Sequence, residues 1–490
     1  MVHIPAEIIQ LIVECLRNFP APKKERRSRP NKKWKIAPYA LISRQWQTAV
    51  ERILWQEVSF GGDASLADLK HWTSGDPYRC ARRTYIRHLI TMSPDIRWAD
   101  WDPSLPRRTA GREDKFAKWY NEAHCRYLRD LLSELESWKD RKASMQLSLS
   151  LSSCMYLDFE PQRDLTGNRV PDLPTVPYVT SFGVHDAQHS HHRSSTFFRL
   201  LSRFPHVQRV YGGGGGRIKQ DALRAFVEQR QDVTNHLHLV PESVDTFEYR
   251  KNYQREFYLN PRGMDEFSIA FRSLSTRLRK LELEYVRVSS SLFWPGAGEE
   301  KYDTTSLNWP RLEELLILEV PPYIADGKWI LDNDPDKWCN VELEELEADP
   351  EQAWCYESDG YGYRALIKSH EADKIYEAMG LAARRMPSLR ELRFTFRPEN
   401  GDGGPHEWLE FKRNKVTGKS CLQVSTHGGY VMGQEVAAAW GLNAEQAIPQ
   451  RIVPERKEDM TEEEQFQFDM AYNKEDEYVA YWSAEFEKWP

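Results

Sequence analysis

Six short stretches of the chain share one spacing. VQRVYG from Val207, VDTFEY from Val244, LRKLEL from Leu278, LEELLI from Leu312, LEELEA from Leu343 and LRELRF from Leu389 all read apolar-x-x-apolar-x-apolar, except that Gly212 and Ala348 take the last place. The final two apolar residues stand two apart, which is the period of a strand that buries one face. Successive stretches are separated by 37, 34, 34, 31 and 46 residues. Such intervals hold one short strand and one returning helix, and helical patterns fall between them at 196–204, 221–227, 265–274 and 372–386. Three of the strands follow a turn proline, in FPHVQRV, WPRLEEL and MPSLREL. The alternation in LRKLELEYVRV argues against an array of paired helices with a similar period.

A chain of 490 residues is longer than the ~100 to 200 of one domain, so several domains or one extended repeat array are expected. A hydrophobic content of 40% with 12% aromatics suffices for a packed core. Charge is uneven: residues 1–60 hold eleven Lys/Arg against five Asp/Glu, residues 455–490 hold four against twelve, and an acidic belt runs from 332 to 359. Carboxylates spread this widely argue against nucleic acid as a partner. The seven cysteines form no CxxC and are odd in number, which points to a reducing compartment. MVHIPAEIIQ lacks the basic and apolar regions of a secretory signal, and no apolar run nears the ~18 residues of a membrane span. The expectation is a soluble chain of the cytoplasm, the nucleus or both, with no membrane partner.

The first sixty residues carry two apolar helical patterns. In IPAEIIQLIVECL, Ile8, Ile12 and Leu16 recur at helical spacing after Pro5, with Ile9, Leu11 and Val13 widening the stripe to more than one face. In IAPYALISRQWQTAVERILWQEVSF, Ile42, Trp46, Ala49, Val50 and Ile53 repeat likewise, and WQEVSF then alternates as a strand does. Two short helices this apolar need something to dock on, either the rest of this chain or another protein.

Ile4-Pro5-x-Glu7-Ile8-Ile9, with Ile12 and Leu16, then Leu41-Ile42-Ser43-Arg44-x-Trp46 and the closing Leu54-Trp55, resembles the F-box, the adaptor-binding module of SCF-type cullin-RING ubiquitin ligases, in the form found in filamentous fungi. The resemblance covers about the first 60 residues. It implies that Ile4 and Pro5 stand for the Leu-Pro signature, that Ile8, Ile9 and Ile12 face the Skp adaptor, and that Leu41, Ile42, Trp46, Leu54 and Trp55 close the module. The implied partners are the Skp adaptor, the cullin scaffold behind it and a protein target. One departure is the long basic connection NFPAPKKERRSRPNKKWK, which reads as a nuclear-localisation patch, an acidic-partner contact or a solvated loop. Downstream, the repeat looks like an irregular leucine-rich pattern of the kind F-box proteins carry. The expected fold is therefore α/β: a helical module at 1–60, a solenoid of short parallel strands and helices at 61–405, and a terminal cap at 406–490.

Three further segments support this plan. Residues 113–138 place Phe116, Trp119, Tyr120, Ala123, Tyr127, Leu131, Leu135 and Trp138 on one helix face, ahead of the alternating QLSLSLSS. HEWLEFKRN and CLQVSTHGG can pair as a hairpin around VTGK, with GQEVAAAWGL as a helix, which suits a cap over the last strand. In the acidic tail, Tyr478, Tyr481, Trp482, Phe486 and Trp489 are spaced as a helix.

Chemistry is sparse. VHDAQHSHH gathers His185, Asp186, His189, His191 and His192, but zinc sites draw ligands from two separated segments, so a polar loop is the expectation. YGGGGGRIKQ lacks the Gly-Lys-Ser/Thr of a phosphate loop. With no nucleophile or acid–base signature, neither an enzyme nor a cofactor is expected. Trp329, Trp338 and Trp354 in the acidic belt are of a type common at binding surfaces.

By the pleat rule, the residues between the apolar positions face away from the core: Arg209, Tyr211, Glu248, Lys280, Glu282, Glu284, Glu314, Leu316, Leu318, Glu391, Arg393 and Thr395. Leu316 and Leu318 are apolar where water is expected, so the strand they occupy is expected to be covered on both faces, by a target or by a segment of this chain such as the aromatic tail or the acidic belt. Target binding is assigned to Glu282, Glu314, Leu316, Leu318 and Arg393. Taken together, the sequence points to a substrate receptor of a ubiquitin ligase, the alternative being a repeat scaffold without ligase association.

Overall fold

The computed structural model describes residues 5–18, 36–60, 65–92, 126–138, 147–152, 173–185, 194–212, 233–250, 259–260, 263–296, 299, 304–320, 330–333, 364–396, 408–414, 417–425, 430–442 and 481–486. It is a mixed α/β structure whose strands pair mostly in parallel. The chain divides into two compact units, one of Met1–Ser190 with Arg199–Val210, the other of His191–Phe198 with Tyr211–Pro490.

The first unit opens with helix Ala6–Asn18, whose first turn uses the Pro5 carbonyl as acceptor for the Ile8 and Ile9 amides. A 3-10 turn, Ala37–Leu41, starts on Pro38, and helix Arg44–Leu54 is capped by Ser43, whose hydroxyl accepts from the Trp46 amide. Strand β1 (Glu57–Phe60) then runs parallel to β2 (His88–Met92). Between them lie helix Leu66–Thr73, closed by a Ser65/Asp68 capping box, and helix Pro77–Arg82, capped by Asp76. The helical module therefore joins the sheet through β1, which is why no boundary falls at residue 60.

Strands β3 (Leu147–Ser152) and β4 (Val179–His185) continue the parallel series, and β5 (Arg209–Gly212) follows β4 in strand order. Leu89, Leu149 and Phe182 form one buried row across β2, β3 and β4. Helix 126–136 buries Leu128, Leu131, Leu132 and Leu135; the rest of the long helix expected from 113 lies outside the described residues.

In the second unit, β6 (Thr246–Arg250), β7 (Lys280–Glu284) and β8 (Glu314–Val320) are parallel, and β8 pairs next with β11 (Glu391–Phe396). The short strands β9 (Leu331–Asn333) and β10 (Arg364–Ile367) pair antiparallel with each other, apart from this series. β12 (Trp408–Arg413) and β13 (Ser420–Ser425) then turn the series antiparallel. Their hairpin turns where Gly418 takes φ 70°, a left-handed conformation that glycine adopts without strain. β14 (Tyr481–Phe486) lies antiparallel beside β13.

The three apolar repeat positions become three buried rungs. Val244, Leu278, Leu312 and Leu389, the first position of each stretch, lie buried just ahead of their strands. Phe247, Leu281, Leu315, Leu392, Phe411 and Leu422 are aligned in register and buried, and so are Tyr249, Leu283, Ile317, Phe394, Leu409 and Val424. Between rungs the register is pinned by the main chain: the Arg279 amide donates to the Asp245 carbonyl, Glu313 to Arg279 and Arg390 to Glu313, each at 2.8 Å. Helices Glu266–Ser275 and Ser369–Ala383 contribute Phe271 and Tyr376 to this core. Inside it, Arg272 is neutralised by Glu299 and donates to the Ser291 carbonyl at 2.7 Å, as a buried cation must be.

Four sequence expectations change here. The stretch at Leu343 lies outside the described residues, and β8 pairs directly with β11, so no strand intervenes between them. Thr395 is buried, not exposed: a register shift between Phe394 and Phe396 accompanies a left-handed Glu319 (φ 53°), whose amide donates to Thr395 Oγ1 at 2.9 Å. Leu316 and Leu318 are half-buried, so β8 is not sealed on both faces. The tail residues Tyr481, Trp482 and Phe486 stand in strand β14, not in a helix, because β13 offers an unpaired edge whose hydrogen bonds a strand satisfies. That edge is three strands removed from β8, so this stretch of the tail does not lie over Leu316 and Leu318.

Candidate docking surfaces

The helical module has a core of its own. Ile9, Val13, Ile36, Ala49, Val50 and Ile53 are buried together, with Leu16, Tyr39, Ala40 and Trp46 packed against them. On helix Ala6–Asn18 the buried set 9, 13 and 16 recurs at four and three residues, which makes it one face. The set 8, 11 and 12 makes the adjoining face and is in water: Ile8 is 46%, Leu11 55% and Ile12 37% exposed. Leu41, Ile42 and Leu54 are also exposed, Leu41 at 90%. Six of the ten large exposed hydrophobic residues of the described structure thus sit in this one module, an uneven distribution of the sort that marks an interaction surface.

The expected adaptor contacts therefore separate into two groups. Pro5, Ile8, Ile12, Leu41, Ile42 and Leu54 are exposed and available to a partner. Ile9 is 2% exposed and belongs to the module's own core, which corrects its assignment to the partner-facing side. Helical spacing could not decide this, since apolar residues cover both faces. Ile4 lies outside the described residues. Trp46 is half-buried and packs on Tyr39, with ring centroids 6.2 Å apart.

Trp55 has a different task. It is one wall of an aromatic enclosure around Arg82, whose guanidinium lies 5.1 Å from Trp55, 5.3 Å from Tyr78 and 5.6 Å from Trp72. The same guanidinium donates to both Glu51 carboxylate oxygens, at 3.2 and 3.1 Å, and to the Trp72 carbonyl at 3.2 Å. Burial, together with the nearby Glu51 carboxylate, pushes the Tyr78 hydroxyl up to about 12. Arg82 and Glu51 thereby fasten helix Arg44–Leu54 to the following helix pair. Sequence spacing held no sign of this link, because its partners are 31 residues apart.

The second surface is the outward face of β6, β7, β8 and β11. Register aligns Glu248, Glu282, Leu316, Arg393 and Glu410 in one row, and Lys280, Glu314, Glu391 and Lys412 in the row before it. All five residues expected to bind a target, Glu282, Glu314, Leu316, Leu318 and Arg393, are brought together on this face, none of them buried. Lys280 Nζ bridges Glu248 at 2.9 Å and Glu282 at 2.7 Å. Burial works against its charge, but hydrogen bonds to those two carboxylates hold the ammonium above its ordinary pKa. Arg393 and Lys412 share Glu410, at 3.7 and 2.9 Å.

Of the other sequence candidates, Asp186, His189, His191 and His192, the glycine run after Gly212, and Trp329, Trp338 and Trp354 lie outside the described residues, while His185 ends β4. Among the described residues no group of three or more His, Cys, Asp or Glu is placed to hold a metal, and no helix is long and apolar enough to cross a membrane. Compared with known protein families, curated proteins and solved structures, the chain matches none.

Proposed function

We propose that this chain is a substrate-receptor subunit of an SCF-type cullin-RING ubiquitin ligase, its N-terminal helices docking on the Skp adaptor and its strand face holding a protein target. The observation that carries the reading is the exposed apolar surface of Ile8, Leu11, Ile12, Leu41, Ile42 and Leu54 on a module that already has its own core. A helix face left apolar after the module has packed internally is a face kept for another protein. The motif Ile4-Pro5 with Leu41-Ile42-Ser43-Arg44-x-Trp46 names the adaptor as that protein. In this reading the residues downstream form an irregular leucine-rich solenoid, consistent with parallel strands recurring at intervals of 34 residues between Leu278 and Leu312.

The chain contributes positioning and no bond-making step. Holding a target beside the ubiquitin-transferring subunit raises its local concentration there, so that transfer to the target's lysines becomes effectively intramolecular. The cullin scaffold is reached through the adaptor, and the workplace is the cytoplasm, the nucleus or both.

Co-purification with the Skp adaptor tests the reading. The wild-type chain is expected to capture the adaptor, and Ile8→Glu with Ile12→Glu to lose it without altering the thermal midpoint, because both side chains are exposed. Failure of the wild-type chain to capture the adaptor would leave the scaffold alternative in its place.

A further inference from the structure

The outward sheet face carries an electrostatic arrangement that folding alone does not account for. Glu314 on β8 and Glu391 on β11 are direct register partners, two carboxylates side by side. Like charges in directly opposed positions destabilise a strand pair. Lysines flank them in the same row, Lys280 beside Glu314 and Lys412 beside Glu391, but both bond elsewhere: Lys280 to Glu248 and Glu282, Lys412 to Glu410. Neither Glu314 nor Glu391 has a side-chain hydrogen bond or ion pair among the described residues. Next along the same face stands Leu316, between Glu282 and Arg393, and then Leu318. Leu318 follows the alternation onto this side, and the left-handed Glu319 then inserts one residue so that Val320 returns to the core.

We infer that this face docks a segment of another protein carrying a lysine or arginine beside an aliphatic side chain. The partner's cation settles between Glu314 and Glu391 and relieves their repulsion. Its aliphatic group covers Leu316, which lies two residues farther along the strand, about 6.6 Å away. An acidic or phosphorylated segment is disfavoured, since Glu282, Glu314, Glu319 and Glu391 surround the leucines, and Arg393 is shared with Glu410. This names the target class of the receptor proposed above, and rests on that reading for its setting.

The test uses the full chain and a short fluorescent peptide alternating lysine and leucine, followed by anisotropy. The peptide is expected to bind, more weakly as salt rises, and to lose about tenfold or more in affinity when Glu314→Gln and Glu391→Gln are combined, as for charge pairs that close on binding. A control that removes the same charge elsewhere, Asp130→Asn with Glu136→Gln on helix 126–136, is expected to bind like wild type. Leu316→Ser is expected to weaken binding independently of the carboxylates. Unchanged affinity in the Glu314→Gln, Glu391→Gln chain, or equal affinity for a peptide alternating glutamate and leucine, would overturn the inference. Because the two glutamines replace side chains with no partner to lose, a folding defect is not expected in that variant. The outcome is separable from the ligase reading: Ile8→Glu with Ile12→Glu is expected to keep the peptide while losing the adaptor, and peptide failure with adaptor capture intact would sink only the target class.

Discussion

The Arg82 guanidinium grips both oxygens of the Glu51 carboxylate, at 3.2 and 3.1 Å, inside a ring of Trp55, Trp72 and Tyr78. This pair joins the helix that ends the N-terminal module to the helices that lead into β2. Its position makes the module's geometry depend on residues outside it.

Arg82→Ala removes one partner of a largely desolvated pair and leaves the Glu51 carboxylate and three aromatic walls without their cation. The expected cost is about 3 kcal/mol, read from the urea midpoint by tryptophan fluorescence. Arg82→Lys should recover little of it, because an ammonium cannot bond both oxygens in a planar fork. A variant as stable as wild type would show that the pair is not the fastening.

Tyr78 supplies a pH signature of the same cluster. Its hydroxyl is held protonated in the folded state, raised from 10.0 to about 12 by burial and by Glu51. A group whose folded pKa is raised contributes stability that is complete below its unfolded value and lost as pH climbs through the folded one. The thermal midpoint should therefore fall between pH 10 and about 12, and Tyr78→Phe should flatten that part of the profile. An identical alkaline slope in the variant would refute the assignment.

The two faces of helix Ala6–Asn18 should respond oppositely to truncation. Ile9→Ala opens a cavity in the module core and is expected to cost about 2 to 4 kcal/mol. Ile8→Ala alters a side chain in water and should stay within about 0.5 kcal/mol. The unfolding midpoints of the two variants in urea report both. Equal effects at the two positions would mean that the faces are misassigned.

Gly380, in the middle of helix Ser369–Ala383, poses a question of sign. Alanine there should gain about 1 kcal/mol of helix propensity. But its Cβ would meet Trp440 Cδ1 at 2.8 Å and the Ala439 main-chain carbon at 2.9 Å, neither of them the tip of a flexible side chain. Trp440 is held in place, fully buried, with its indole N–H donating to the Tyr376 carbonyl at 2.9 Å. Overpacking of about 1 to 3 kcal/mol should win, so Gly380→Ala is expected to lower the thermal midpoint. A stabilised variant would show that Trp440 can yield.

The repeat spacing by itself determined much of the strand series. Strands expected at Val207, Val244, Leu278, Leu312 and Leu389 are β5, β6, β7, β8 and β11, and the hairpin around VTGK is β12 and β13. Apolar residues two apart share one face of a strand, so local pattern and final structure agree. The pleat likewise brought Glu282, Glu314, Leu316, Leu318 and Arg393 onto one face, because register follows once the rungs are packed.

Where apolar residues fill more than one face, or where a segment's hydrogen bonds depend on a neighbour, the sequence is silent and the tertiary structure decides. Ile8 and Ile9 are equally apolar, and only packing against Val50 and Ile53 placed one in the core and the other in water. Trp482 and Phe486 are spaced for a helix but stand in a strand, because the open edge of β13 satisfies their main chain. Thr395 follows the alternation of its neighbours, yet it is buried, its hydroxyl accepting from the amide of the left-handed Glu319 at the register shift. Arg82 reads as one more surface cation until Glu51 and three aromatic rings, distant along the chain, close around it. A periodic pattern reports the local backbone and the face it offers, whereas the choice among equally apolar faces depends on long-range contacts, which no local window of sequence contains.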